Sequence, residues 1–250
     1  MRWVGTSWKM NKTLGEARAF AQVLRSIDWG SAPYAGVRPF VIPPFTALAT
    51  VCEALRGTPV LVGAQTMHWE DAGAWTGEIS PPMLRDCGAT LVELGHSERR
   101  VHFAETDEAI NRKVAAALRH GLRPLICVGE NAAERRAGRE GAVLRRQVEQ
   151  ALRDIPAEHA RNVLIAYEPV WAIGRDGTPS EPGYVAATIG ALRAAMPALF
   201  AGASLLYGGS VDAANAAAYA GLDGVDGLFV GRAAWEVEGF LRILRAVGRA

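Results

Sequence analysis

The chain has 250 residues, half of them hydrophobic, and its 27 lysines and arginines nearly balance 26 aspartates and glutamates. A net charge of +1 supplies neither the basic field that nucleic acid requires nor an acidic tail, so any anion the protein binds must be held by a local site. Cys52, Cys87 and Cys127 are widely spaced and form no zinc pattern, which predicts free thiols in a reducing cytosol. The opening residues lack the apolar core of a signal peptide, and no apolar stretch reaches membrane-spanning length. The expectation is a soluble cytoplasmic protein with no anchor, no membrane contact and no nucleic-acid partner.

Short apolar runs recur along the whole length: Trp3–Gly5, Pro39–Ile42, Val60–Val62, Thr90–Leu94, Pro124–Val128, Val163–Ala166, Ser204–Leu206 and Gly227–Val230. Each is too short for a helix and rich enough in Val, Ile and Leu for a strand buried on both faces. Helical spacing fills the gaps, most clearly over Leu14 to Leu24, Thr106 to Leu118, Ala142 to Ile155 and Tyr184 to Met196. Alternation of strand and helix to the end predicts parallel βα units, and eight of them close into a barrel with the helices outside. No linker, charge block or change of composition divides residues 1–250, which read as one domain.

Polar residues come closely after these runs. Ser7 and Lys9, Gln65, His96 to Glu98, Glu130, Glu168, Gly208 to Ser210, and Gly231 with Arg232 each stand just after one. In a parallel barrel those positions are the C-terminal strand ends, and they meet at one mouth. Lys9 reads either as a solvated surface group or as an ammonium pinned by bulky Trp8 and Met10, fit for a phosphate or an oxyanion. His96 precedes Ser97 and Glu98, which look like the opening of a helix. That setting disfavours positive charge and keeps an imidazole neutral. Glu98 is either a first-turn acid or a partner for Lys9.

Glu168 reads as a cap, as an arginine partner, or as a base under a lid. Pro169 stiffens the chain immediately after it, Trp171 offers an apolar cover, and Gly174 and Gly177 bracket a tip. A closing lid would strip water from the carboxylate and strengthen it as a base. Gly208, Gly209 and Gly231 come after the seventh and eighth runs, where barrels usually hold phosphate. Cys127 reads as a packing residue. His96 and His102 are six apart and lack a carboxylate at metal spacing, while His68, His120 and His159 read as loop or helix-surface residues. No metal site is expected.

The motifs Ser7-Trp-Lys-Met-Asn11, Gly63-Ala-Gln65, Trp75-Thr-Gly-Glu-Ile-Ser80, Gly95-His-Ser-Glu-Arg-Arg100, Tyr167-Glu-Pro-Val-Trp-Ala-Ile-Gly174 and Tyr207-Gly-Gly-Ser-Val211 resemble triosephosphate isomerase nearly end to end and in order. The resemblance implies a (β/α)8 TIM barrel, and the family is itself a standard example of a neutral catalytic histidine. It implies Glu168 as the base between adjacent carbons, His96 as the neutral electrophile, Lys9 as positive charge toward substrate, and Glu98 as its support. Gly174, Ser210 and Gly231 would supply N–H groups to phosphate, and residues 169–178 would form the lid. The loop 65–80 would dock into a second subunit, with Thr76 near the partner's site, so a homodimer is implied. No cofactor is implied.

Three departures stand out. Ser7 replaces the family's Asn two residues before the lysine, Arg232 replaces the second glycine of the last phosphate loop, and the lid tip reads Gly174-Arg-Asp-Gly-Thr178. These features resemble a sister branch, the L-erythrulose-1-phosphate isomerases of bacterial erythritol catabolism. That substrate is dihydroxyacetone phosphate with one terminal hydrogen replaced by CH2OH, so the same proton shift serves, given room for one carbon and one hydroxyl. Ser in place of Asn would make that room beside Lys9. Arg232 either reinforces phosphate binding or turns outward and leaves only its N–H. The alternatives are a triosephosphate isomerase with tolerated substitutions and a non-catalytic barrel that binds sugar phosphates.

Overall fold

The computed structural model describes residues 1–174 and 177–249. Eight strands, β1 (Arg2–Ser7), β2 (Val37–Ile42), β3 (Leu61–Ala64), β4 (Leu91–Leu94), β5 (Arg123–Val128), β6 (Leu164–Tyr167), β7 (Ser204–Tyr207) and β8 (Gly227–Val230), pair in parallel and in chain order. β8 returns to β1, with Trp3 opposite Gly227 and Thr6 opposite Val230, and closes the barrel. All eight apolar runs are therefore strands; Gly227–Val230 coincides with β8, and the other seven differ by a residue or two at their ends.

The strand period of two sorts the core into two packed zones. Trp3, Phe40, Ile42, Leu91, Leu125, Cys127, Leu164, Ala166, Leu206 and Phe229 form one buried cluster inside the barrel. Val4, Val41, Val62, Val92, Ile126, Ile165, Leu205 and Leu228 alternate with them and join the larger cluster under the helices. The interior is tight. Phe40 stacks on Phe229 at 5.7 Å between ring centroids, and a Cβ at Gly5 would lie 2.1 Å from the Phe40 ring. Only glycine fits at that strand position.

Helix ends obey local chemistry. Thr13 caps Leu14–Arg25 in a reciprocal capping box with Glu16. Thr106 caps Asp107–Arg119 by accepting from the Ala109 N–H. The helix Pro182–Ala195 starts two residues before the apolar spacing does, because a proline in the first turn loses no hydrogen bond. The helix expected to reach Ile155 stops instead at Ala151. Asp154 has φ 62° in the left-handed region, and Pro156 lies two residues on, so the chain leaves the helix while Leu152 and Ile155 still pack against the core. No helix among the described residues is long and apolar enough to cross a membrane.

Candidate active site

β1 delivers Ser7 and then Lys9 to the mouth. Lys9 has φ 51°, a strained conformation for a side chain with a Cβ. The surroundings hold it there. Gln65 Nε2 donates to the Lys9 carbonyl at 2.9 Å, and Trp235 Nε1 donates to the Ser7 carbonyl at 2.9 Å. The expected apolar pinning by both neighbours is half right: Trp8 is fully buried, but Met10 is 96% exposed. The turned backbone of Lys9 sends adjacent side chains in different directions.

The Lys9 ammonium donates to Glu98 Oε1 at 2.7 Å. Burial alone would lower the lysine pKa, but the Glu98 hydrogen bond and the charges of Glu168, Glu98 and Glu93 outweigh it and the net shift is upward. Burial would raise the Glu98 pKa, yet the bond from Lys9 leaves it below its usual range. Each partner keeps the other charged.

β4 ends just before Gly95, and His96 caps the short helix Ser97–His102. His96 Nδ1 accepts the Glu98 N–H at 3.1 Å. A nitrogen that accepts carries no proton, so the imidazole is neutral and its hydrogen sits on Nε2. That nitrogen lies 3.7 Å from Glu168 Oε2. Glu168 comes directly after β6, with its N–H bound to the Val128 carbonyl at 2.8 Å. Its Oε2 is buried without a hydrogen-bond partner, a state that burial penalises unless a ligand completes it.

Two glycines make room for this carboxylate. A Cβ on Gly208 would stand 2.7 Å from Glu168 Cγ, and one on Gly129 would strike the Glu168 carbonyl oxygen at 1.9 Å. Gly208 is thus a packing requirement of the base as well as part of a loop, while Gly209 is required by the Tyr207 ring.

Ser7, Lys9, His96, Glu98 and Glu168 line one cavity of about 520 Å³. Its far wall holds Gly174, Gly177, Gly209, Ser210, Gly231 and Arg232, so the residues singled out in the sequence converge. Among the described residues, the N–H groups of Gly209, Ser210 and Gly231 donate to no backbone acceptor, which leaves them available to an anion. The Ser210 hydroxyl donates to the Ala172 carbonyl at 2.6 Å and ties this wall to the start of the lid segment. Arg232 is exposed at the rim and forms no ion pair among the described residues. Arg175 and Asp176, at the lid tip, lie outside the described residues.

Several expectations need correction. Trp171 does not serve as a cover for Glu168: its Nε1 donates to Glu130 Oε1 at 2.7 Å, and Arg135 stacks on its ring at 3.6 Å. Glu130 is fully buried and also accepts from the Tyr184 hydroxyl at 3.1 Å, so it anchors the base of the lid segment. An indole carries a donor, and a nearby acid outcompetes mere apolar cover. His68 is buried, packed between Trp69 and Trp75. Thr76, which the resemblance placed near a partner's site rather than this one, is exposed and does not line this chain's own cavity.

Sequence reasoning missed Glu93. It is buried in β4, and its Oε2 accepts from the Ser7 hydroxyl at 2.8 Å. Burial pushes its pKa up to about 7, with the Glu168 charge adding to that and the Ser7 hydrogen bond and Lys9 charge opposing it. The signal was an acid inside a run otherwise read as strand interior. Cys127, 4.0 Å away from Glu93 Oε1, has its thiol pKa pushed well up by burial and packs the barrel as expected. Among the described residues, no group of three or more His, Cys, Asp or Glu side chains is placed to hold a metal ion.

A family model described as triosephosphate isomerase matches residues 2–247. The chain belongs to the triosephosphate isomerase family. Among relatives, it is 56% identical to an L-erythrulose-1-phosphate isomerase of Rhizobium etli, covering 99% of this chain and 93% of that one. It is 54% identical to the protein of the same name from Mesorhizobium japonicum, covering 99% and 96%. A third, from Brucella abortus, is 53% identical over 97% and 94%. The resemblance read from the motifs thus holds for the triosephosphate isomerase family as a whole and points within it to one branch.

Proposed function

We propose that the protein is a cytoplasmic isomerase that converts L-erythrulose 1-phosphate to D-erythrulose 4-phosphate by proton transfer through an enediolate. The observation that carries this reading is the neutral His96 facing an unpartnered Glu168 carboxylate across 3.7 Å in the cavity that also holds Lys9. Relatives that share more than half their residues with this chain bear the matching name.

Glu168 removes the proton from C3, which carries a hydroxyl beside the C2 carbonyl. His96 Nε2–H hydrogen-bonds to the carbonyl oxygen and moves a proton between O2 and O3 as the enediolate forms. Glu168 then returns its proton to C2, leaving the carbonyl at C3. Renumbered from its new end, the product is the 4-phosphate. Lys9, held charged by Glu98, stabilises the oxyanion. The N–H groups of Gly174, Ser210 and Gly231, with the Arg232 guanidinium, hold phosphate.

Residues 169–178 act as the lid, which excludes water and prevents loss of phosphate from the enediolate. The working unit is a homodimer in which loop 65–80 docks onto a second copy and brings Thr76 toward the partner's mouth. Met10, Trp75, Met83, Val101 and Phe103 are large apolar side chains left exposed in the single chain, and such exposure suits a covered surface.

Steady-state kinetics with both substrates tests the reading. The expected result is a kcat/KM for L-erythrulose 1-phosphate at least tenfold above that for D-glyceraldehyde 3-phosphate. A preference for the triose would make the protein a triosephosphate isomerase. No exchange of substrate hydrogen into solvent with either ketose phosphate would leave only a binding role.

A further inference from the structure

Ser7 and Glu93 lie 86 residues apart in the chain, yet they meet inside the barrel. On β1 the inward phase runs Trp3, Gly5, Ser7, and on β4 it runs Leu91, Glu93. Both side chains therefore point into the lumen at its upper end, just below the reacting groups. Ser7 lines the cavity, whereas Glu93 does not.

A carboxylate buried in an apolar barrel is costly unless it is bonded. The partners of Glu93 are the Ser7 hydroxyl at 2.8 Å and the weak Cys127 thiol at 4.0 Å. The charge of Glu168 also reaches it and raises its pKa further. Glu93 gains little from this position and leaves the lumen polar where hydrophobic packing would serve stability better. Its clear effect is on Ser7. A hydroxyl has one hydrogen and two lone pairs. With the hydrogen given to Glu93 Oε2, Ser7 offers only acceptor capacity upward, and Trp235 fixes its backbone through the Ser7 carbonyl at 2.9 Å.

We propose that Ser7 and Glu93 form the specificity pair for the fourth carbon: Ser7 Oγ accepts a hydrogen bond from the terminal hydroxyl of the four-carbon sugar phosphate, and Glu93 is the positioning residue that holds Ser7 in that role. A three-carbon substrate has no donor at that point. The pair thus reads the one group that separates the two substrates, while the proton-transfer groups stay common to both. This rests on the four-carbon reading given above. A site built around a polar acceptor discriminates more sharply than space alone, since its acceptor is left unpaired by the smaller substrate.

The test compares Ser7→Ala, Glu93→Gln and the double variant with wild type. Two quantities are measured: kcat/KM for L-erythrulose 1-phosphate, and the inhibition constant of 2-phosphoglycolate. The latter carries phosphate and a planar carboxylate but no hydroxymethyl group. Ser7→Ala should lower kcat/KM by about 10–100-fold, the range of a hydrogen bond to a charge-assisted group, mostly through KM. Glu93→Gln, which keeps shape and loses charge, should produce a smaller loss in the same direction. The double variant should resemble Ser7→Ala, because the two act as one unit. The inhibition constant should stay within about threefold. Equal weakening of inhibitor and substrate would mean a general structural role and would overturn the proposal, as would no change in either. If wild type itself fails to turn over the four-carbon substrate, the functional reading fails first and the pair's role falls with it.

Discussion

Glu93→Gln also has a thermodynamic consequence that is independent of any substrate. The ordinary glutamate pKa of 4.5 is pushed up to about 7 in the folded chain, chiefly by burial. Between those two values the folded state holds a proton that the unfolded chain has released. Stability contributed by this group is therefore greatest at low pH, declines as pH rises from about 4.5 to about 7, and is level above that. At 1.36 kcal/mol per unit, the full span amounts to about 3 kcal/mol. For a chain of this size that corresponds to about 6–12 °C in Tm. Gln does not titrate, so the variant escapes the decline. Thermal unfolding of wild type and Glu93→Gln in matched buffers from pH 5 to pH 8 reads the effect directly. Titrating groups remote from Glu93 are common to both proteins and cancel in the difference. The variant should gain on wild type by several degrees as pH rises, with the gain levelling off above about pH 7. Parallel Tm profiles would refute the reasoning, since they would mean that Glu93 binds its proton equally in both states.

The remaining predictions concern turnover. Glu168→Asp retracts the carboxylate by one methylene and should lower kcat by about 10²–10³-fold with little change in KM; a rise in KM at constant kcat would remove Glu168 from the role of base. Gly208→Ala puts a methyl 2.7 Å from Glu168 Cγ, so kcat should fall about 10²-fold from displacement alone, and a fully active variant would show that the carboxylate has slack the geometry denies. Ser7→Asn should shift the ratio of specificity constants toward the three-carbon substrate by about 1–3 kcal/mol; an unchanged ratio would exclude the space beside Lys9 as the discriminator. Arg232→Ala should raise KM about tenfold and leave kcat unchanged, whereas an unaltered KM would mean that the guanidinium does not reach phosphate.

The barrel was legible because its strands are buried on both faces and bounded by polar turns, so eight apolar runs translated into eight strands. The helix near Ile155 overran because apolar spacing continues past Asp154, and left-handed backbone leaves no mark on hydrophobic pattern. Lys9, His96 and Glu168 were legible as strand-end polar residues, but their common cavity depends on closure between β8 and β1, which no local pattern encodes. Glu93 was hidden for the opposite reason. The same apolar run that identified β4 absorbed it, and only the period-two phase shared with Leu91 separates an inward acid from a solvated one. Trp171 was misread because its bulk suggested cover, whereas its indole N–H finds Glu130 from the neighbouring strand end, 41 residues earlier.

On the proposed reading, the charges around the cavity favour a substrate's phosphate at its far wall. Glu98 already engages Lys9, Glu168 lines the inner wall, and Glu93 lies buried beneath it. A phosphate dianion approaching the reacting groups would meet the Glu98 and Glu168 carboxylates against the Lys9 ammonium, so on the proposed reading it is favoured at the outer wall. There the Gly209, Ser210 and Gly231 N–H groups and Arg232 supply positive potential with no carboxylate pressed against them except Asp212. Asp212 is itself held by loop N–H groups, accepting from Ala214 at 2.8 Å and Asn215 at 3.1 Å, which spends part of its charge locally. On the same reading, we propose that the field of the site orients the substrate before any specific contact forms. In the proposed pose its phosphate lies outward at the seventh and eighth loops, and its sugar end points inward to Glu168, His96 and the Ser7–Glu93 pair. We propose that Arg232, exposed at the rim of that wall, strengthens the outward pole of the field.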